Sequence, residues 1–391
     1  MRKKCFALLL CAAILCTAGC GAGGKQADAP GDTEAGVTGD TDDAAPEEEE
    51  AVAEGEETAE SGVEEAFSED DTSTDGPKIV TVGPEDAKIR VGMVSDMGGI
   101  DDHSFNQGAW YGLLSINEEL NARVTYIEPT SVEEYYDDLC TLADNGNGLC
   151  WGIGYQFADA VEQAAADHPD VHFAIVDHEY EEIPSNVTCA VFRAEEPSFL
   201  VGYIAASMTK SGKVGFLGGM DVEPLEAFQY GYLAGVSYAD QEQGKKTEVV
   251  TDYLGTFTDP GIGKEKALQM YADGCDIIFH AAGGAGVGVI EAAEDTDNFV
   301  IGVDTDQAYL APDNVLTSAI KNVKVVTANL PVQFSMGEKI GGIAIEYGLS
   351  EGALGIPASH PNIPDEIYDN AMKLKQKIIQ KEITVPKEAE G

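Results

Sequence analysis

Twice in this chain a short aliphatic run closes on paired glycines and gives way to a stretch of helical period: RVGMVSDMGG from Arg90 and KVGFLGGMD from Lys213. Each opens a series. In the first, KIRVGMV, RVTYIEP, GLCWGIG, HFAIVD and TCAVF follow one another, with SFNQGAWYGLLSINEEL, SVEEYYDDLCTLAD and QFADAVEQAAADH between the first four. In the second, KVGFLGG, EVVTDYLG, DIIFHAAG, FVIGVD and VLTSAI are separated by EPLEAFQYGYLAGVSYADQ, GKEKALQMYADG and GVGVIEAAED. Short apolar runs alternating with longer helical stretches are the signature of βα units on a mostly parallel sheet. The pattern predicts an α/β chain of two doubly wound, Rossmann-like lobes, the first mainly over about 88–200 and the second over about 212–320. SFLVGYIAASMTK reads as a helix between them. NVKVVTANLPVQFSMGEKIGGIAIEYG reads as a further helix, and IPDEIYDNAMKLKQKIIQ as an amphipathic one, both crossing back over the lobes. Ligands of such sheets bind beyond the carboxyl ends of the strands, so two lobes in tandem supply a cleft.

The N-terminus adds an address. MRKKCFALLLCAAILCTAGC has a basic start and an aliphatic stretch short for a membrane span, with small residues before Cys20, so residues 1–20 read as a secretory signal. Thr17-Ala18-Gly19-Cys20 looks like a bacterial lipobox, with Cys20 the residue that receives the lipid. Residues 21–78 hold 20 acidic residues against Lys25 and Lys78 and few large apolar ones, which predicts a disordered, self-repelling tether. The ligand-binding part, 79–391, is acidic as well. With a formal net charge of −47 over 391 residues, nucleic acid, anionic lipid and multiply charged phosphates are poor partners. Beyond the leader only Cys140, Cys150, Cys189 and Cys275 remain. They lack metal-ligand spacing and read as buried thiols, with a Cys140–Cys150 disulfide left open.

The strand ends carry the chemistry. In DMGGIDDHSFNQGAWYG, Gly98-Gly99 allow a sharp turn and Ser104-x-x-Gln107 has the form of a capping box. Phe105 offers a stacking face, Asn106 a donor and an acceptor for a base edge, and Asp96 or Asp102 an acceptor for hydroxyl or amide protons. In the second series Phe228 lies on the helix after the first strand, Asp259 follows the next, and AAGGAGVG follows DIIFH. Gly283, Gly284 and Gly286 can turn backbone N–H groups toward a ligand, although Val289 stands where a dinucleotide fingerprint needs its third glycine. Asp304 ends a strand as a carboxylate suited to ribose hydroxyls, and Lys321 can neutralise it or donate to a ligand. Trp151, at a strand end, is the tryptophan placed to line the cleft.

Catalytic motifs fail. Gly348-Leu-Ser350-Glu-Gly352 lacks the strand–turn–helix setting of a nucleophile elbow. The six histidines form no metal-binding pattern, and His280 beside the glycine loop reads as structural. No cofactor or metal is called for.

These segments in this order, DMGGIDDHSFNQGAWYG, SFLVGYIAA, KVGFLGGM with EAFQYGYLAG, GCDIIFHAAGGAGVGV, VIGVDTDQ and VLTSAIKNV, resemble the basic membrane protein family of ABC transporter substrate-binding lipoproteins, the purine nucleoside receptor group. The resemblance runs from about residue 88 to 380, with Pro197 in EEPSFLVGY where the family usually shows Gly. It implies a type I periplasmic binding fold, two lobes joined by a hinge. It also implies a monomeric, non-enzymatic receptor on the outer face of the cell membrane that closes on a purine nucleoside and hands it to an ABC permease. By the same resemblance Phe105 and Phe228 sandwich the base, Asp96 and Asn106 bind its edge, and Asp259, Gly284, Asp304 and Lys321 hold the ribose. Two other readings stay open: a tethered receptor of the same fold for a sugar or an autoinducer, and a nucleoside-processing enzyme.

Overall fold

Ten of the apolar runs form strands in two separate sheets. The computed structural model describes residues 76–389; the leader with Cys20 and nearly all of the acidic segment lie outside them. The first sheet holds five parallel strands: β2 (Arg90–Val94), β3 (Arg123–Glu128), β4 (Leu149–Gly152), β5 (His172–Val176) and β6 (Val187–Phe192). Two edge strands complete it, β1 (Lys78–Val82) antiparallel to β3 and β12 (Ile343–Tyr347) parallel to β6, in the order β1-β3-β2-β4-β5-β6-β12. The second sheet runs β13-β11-β10-β9-β7-β8. Its strands β7 (Lys213–Gly218), β8 (Glu248–Tyr253), β9 (Ile277–Ala281), β10 (Phe299–Asp304) and β11 (Val315–Lys321) are parallel, and β13 (Leu354–Gly355) is antiparallel to β11.

Both sheets reverse winding beside their first parallel strand. β3 lies on one side of β2 and β4 on the other, and β8 and β9 flank β7 in the same way. Helices α1 (Phe105–Leu120) and α5 (Glu223–Gln243) leave β2 and β7 at these switch points, where doubly wound sheets hold their ligands. The other crossover helices are α2 (Tyr135–Asp144), α3 (Ala158–Asp167), α6 (Pro260–Ala272) and α7 (Ala285–Thr296). The first sheet's core gathers Val94, Ile127, Leu139, Phe157 and Phe173, all fully buried. The second is built around Phe216, Tyr232 and Phe279 on one face and Leu217, Ile278 and Val289 on the other.

The chain crosses between the sheets three times: from β6 into α4 (Glu195–Met208), from β11 into α8 (Val323–Ser335), and from β12 to β13. α4 packs on α5 of the second lobe, and α8 returns to the first, where Thr327 Oγ1 donates to the Ala109 carbonyl of α1 at 3.0 Å. The last helix, α9 (Asp365–Ile379), packs on α4. The α4–α5 contact is close because glycines line it: a Cβ on Gly235 would stand 2.0 Å from the Phe199 carbonyl oxygen, and one on Gly202 2.2 Å from that of Tyr232.

Two features differ from the sequence expectation, and one question it left open is answered. Lys78, assigned to the tether, begins a strand and pairs with Glu128 at 3.1 Å. The helix expected over 322–348 ends at Ser335, and Ile343-Ala-Ile-Glu-Tyr347 joins the first sheet after Gly337, Gly341 and Gly342; glycines end helices, and β-branched residues in alternation suit an edge strand. Cys140 and Cys150 are free thiols, as are Cys189 and Cys275.

Candidate functional site

The turn after β2 is organised by Asp102. Its carboxyl oxygens accept the backbone N–H groups of Ser104 (3.0 Å), Asn106 (2.8 Å) and Gln107 (3.0 Å), and so satisfy orphan donors at the start of α1. This corrects the capping box. Ser104 makes no cap bond, and its hydroxyl instead donates across the cleft to Oδ2 of Asp304. Asn106 is also turned inward. Its amide nitrogen donates to Asp96 Oδ1 (2.7 Å) and Asp102 Oδ2 (3.1 Å), and its oxygen accepts from Asp96 N (3.2 Å). Asp96 Oδ1 takes a second bond from Gly98 N at 2.8 Å.

Asp177 at the end of β5 and Asp304 at the end of β10 have left-handed backbones, φ 64° and 65°. Few non-glycine residues adopt that region, and they concentrate at functional sites. Lys321, buried at the end of β11, donates to Asp177 Oδ2. Its ammonium lies 4.7 Å from the Phe105 ring centroid and 5.8 Å from that of Phe228, with Phe192 at 5.0 Å. Aromatic faces from both lobes thus converge on one cation.

Asp177, Asp304, Lys321, Phe105 and Phe228 line one cavity of about 650 Å³, counting the space open at its mouth. Asp96, Asp102, Phe105 and Asn106 stand on its first-lobe wall, and Phe228, Gly284, Asp304 and Lys321 on the second. Burial raises all three of the first expected carboxyls: Asp96 upward, Asp102 to about 7, and Asp304 to about 6 even with Lys321 and Ser104 opposing it.

Asp259 is not among the lining residues. It is exposed and caps α6, accepting from Gly261 N (2.9 Å) and Ile262 N (3.2 Å). Asp followed by Pro at the first helical position is an N-terminus signal, which explains its place. Phe257 lines the cavity instead, together with Asp177, Tyr155 and Gln156, none of which the sequence reading singled out. Asp177 closes HFAIVD as Asp304 closes FVIGVD, so the same strand-end logic identifies both. Trp151 is fully buried in β4 and away from the lining. His280 is also fully buried, neutral with a pKa lowered to about 4, and packs under Gly286, where a Cβ would meet its ring at 2.2 Å. Among the described residues no group of His, Cys, Asp and Glu could hold a metal.

A family described as ABC transporter substrate-binding protein PnrA-like, the Bmp family, matches residues 89–389. The chain belongs to that family. Bmp relatives include basic membrane protein A of Borreliella burgdorferi, 42% identical over 310 residues that cover 77% of this chain and 89% of that protein. Basic membrane protein B of the same organism is 37% identical over 310 residues, 76% of this chain and 88% of its own length. Among solved structures, an ABC transporter solute-binding protein from Aeropyrum pernix superposes with a TM-score of 0.71 at 30% identity, covering 77% of this chain and 94% of that one. The fold is the type I arrangement of periplasmic solute-binding proteins. This Bmp protein is therefore a substrate-binding protein of an ABC transporter, not an enzyme, and its function implies a solute and a permease.

Proposed function

We propose that the solute is a purine nucleoside, captured between the lobes and released to the permease. One observation carries the reading: Phe105 and Phe228 project from the two switch-point helices on opposite walls of a cavity that also holds the carboxylates of Asp96, Asp102, Asp177 and Asp304. Two aromatic faces suit a flat heterocycle, and carboxylates suit a hydroxyl-bearing, uncharged partner while repelling a nucleotide. In this reading Asp304 and Lys321 hold the ribose beside Gly284, and Asp96 meets the edge of the base. Asn106 and Asp102 serve by fixing Asp96 and α1, since their polar atoms are engaged within the protein. We further read the chain as a monomer anchored through lipid on Cys20 to the outer face of the cell membrane. An unlipidated mature N-terminus would overturn that part.

Calorimetry of the protein against purine and pyrimidine nucleosides, free bases, ribose, hexoses and nucleotides tests the ligand. Tight binding of an intact purine nucleoside, weakened about tenfold or more in Phe105→Ala and in Asp304→Ala, is expected. Binding of a sugar with no response to any nucleoside would replace the reading with a sugar receptor.

A further inference from the structure

We infer that His103 is a latch: bonds it makes to the second lobe, outside the cavity, hold the closed form together and set how long a solute is retained. The latch acts on whichever solute the cavity takes, so it stands apart from the nucleoside reading. Bonds between the lobes fall into two groups. Ser104 reaches Asp304 and Lys321 reaches Asp177. Asp177, Asp304 and Lys321 all line the cavity, so a solute that engages them competes with these bonds. The second group converges on His103, in the turn after β2. Its carbonyl accepts from Gln307 Nε2 at 3.1 Å and from Thr305 Oγ1 at 3.4 Å, and its Nδ1 shares a hydrogen bond of 2.9 Å with the Tyr309 hydroxyl. Thr305, Gln307 and Tyr309 follow β10, and neither they nor His103 line the cavity. A solute therefore has no need to displace these three bonds.

Both sides of the latch are prepared within their own lobes. Gln307 is fully buried; its Oε1 accepts from Val303 N at 3.0 Å and its backbone N–H donates to Ser318 Oγ at 3.1 Å. Those bonds hold the amide so that Nε2 faces the first lobe. His103 has a left-handed backbone, φ 53°, and Asp304 opposite it has φ 65°. A non-glycine residue keeps that conformation only where its surroundings impose it, and such residues gather at clamps and switches. Here the strained turn carries the His103 carbonyl out of its own lobe to a pair of donors on the other. Opening the lobes breaks all three bonds at once, so they raise the ratio of closed to open molecules with and without solute. Because a solute escapes only from the open form, the latch slows release without touching the solute.

The test is stopped-flow binding of inosine, a purine nucleoside, to wild type, Tyr309→Phe, His103→Gly and the double variant. Tyr309 is 56% exposed, so the fold does not depend on its hydroxyl, and glycine suits the left-handed turn at 103 while keeping the carbonyl. Dissociation is expected to be about threefold faster in Tyr309→Phe, the worth of one half-exposed neutral hydrogen bond, with association not slowed. In the His103→Gly background Tyr309→Phe is expected to add nothing, because the bond is already gone. A second measurement needs no solute: the distance between spin labels at two exposed positions, one in each lobe, introduced as Glu133→Cys and Glu265→Cys in a Cys140→Ser background. Wild-type molecules without solute are expected to include the closed separation, and Tyr309→Phe to lower the closed-to-open ratio about threefold. An unchanged dissociation rate, an unchanged ratio, or a wild type open in every molecule overturns the latch. Failure of the wild type to bind any nucleoside sinks the nucleoside reading alone, and the label distances then decide the latch.

Discussion

Replacing Arg193 by Met is expected to lower the melting temperature by about 6 °C, because one guanidinium joins two of the three segments that connect the lobes. Arg193 lies in the crossing from β6 to α4. Its Nε meets Glu196 at 2.8 Å, Nη1 meets Glu346 of β12 at 2.8 Å, and Nη2 meets Ser350 at 3.1 Å and also Glu351, both in the crossing toward β13. Glu346 and Glu351 are exposed, with side chains 58% and 41% accessible, so each pair contributes about 0.5 kcal/mol or less. Glu196 is different. At 13% exposure it also accepts from Leu349 N at 2.7 Å, so its pairing belongs with hydrogen bonds to buried charges, about 2 kcal/mol. Removing the cation leaves the carboxylates facing one another without it. The sum is about 3 kcal/mol, and a domain of this size loses about 2 °C per kcal/mol. Scanning calorimetry of wild type, Arg193→Met and Arg193→Lys measures it, with the lysine variant intermediate because one ammonium cannot serve four acceptors. A shift of Arg193→Met below about 1 °C would refute the claim that this clasp stabilises the crossings.

The α4–α5 contact gives a second prediction. Gly235→Ala places a methyl 2.0 Å from one backbone oxygen and 2.9 Å from Tyr203 N, so the helices must separate at a cost of about 3 kcal/mol, whereas Gly108→Ala, whose nearest neighbour is a Thr305 methyl at 3.8 Å, is expected to be neutral or stabilising. Equal melting temperatures for the two variants would contradict this. The third concerns pH. Burial raises Asp102 to about 7 and Asp304 to about 6 from 3.8, so the folded state holds these protons more tightly than the unfolded chain; their contribution is complete below about pH 4 and is lost as pH rises through about 6 to 7. For Asp304 this amounts to at most about 3 kcal/mol. On the nucleoside reading, a ligand that donates hydroxyls to ionised Asp304 offsets the loss, so a bound purine nucleoside should raise the melting temperature more at about pH 8 than at about pH 5.5, and an equal shift at both would count against a ligand contact at Asp304.

What could be read from the sequence follows the physics of each element. Strands covered on both faces, such as Val91–Val94 and Ile277–Ala281, are nearly unbroken apolar runs and reveal themselves. Edge strands do not: β1 and β12 are half-exposed, and IAIEY after a genuine helix reads as its continuation. At the site, topology does the locating. The carboxyl ends of the parallel strands and the starts of the helices after them had to face the cleft, which is why Asp96, Phe105, Phe228 and Asp304 share one cavity. Which atoms remain open is a different matter. Nothing local in SFNQ shows that Ser104 bonds Asp304, two hundred residues away, or that Asn106 is absorbed by two aspartates. Asp259 shows the opposite error, a strand-end carboxylate whose following proline already marked it as a helix cap.

The pairing of Ser104 with Asp304 bears on how recognition and closure are linked. Asp304 uses Oδ2 for a hydroxyl that belongs to the other lobe, and Oδ1 has no hydrogen bond among the described residues. Its backbone is left-handed, and so is that of His103, whose carbonyl accepts Gln307 Nε2 at 3.1 Å across the same gap. These bonds exist only when the lobes are together. On the nucleoside reading, Asp304 is therefore oriented to present its free oxygen to a ribose in the closed state and not in an open one. Asp96, whose orienting donors both come from its own lobe, is prepared in either. The base can then be read before closure and the sugar only upon it, so a ligand lacking the hydroxyls would stack and dissociate without favouring the closed form.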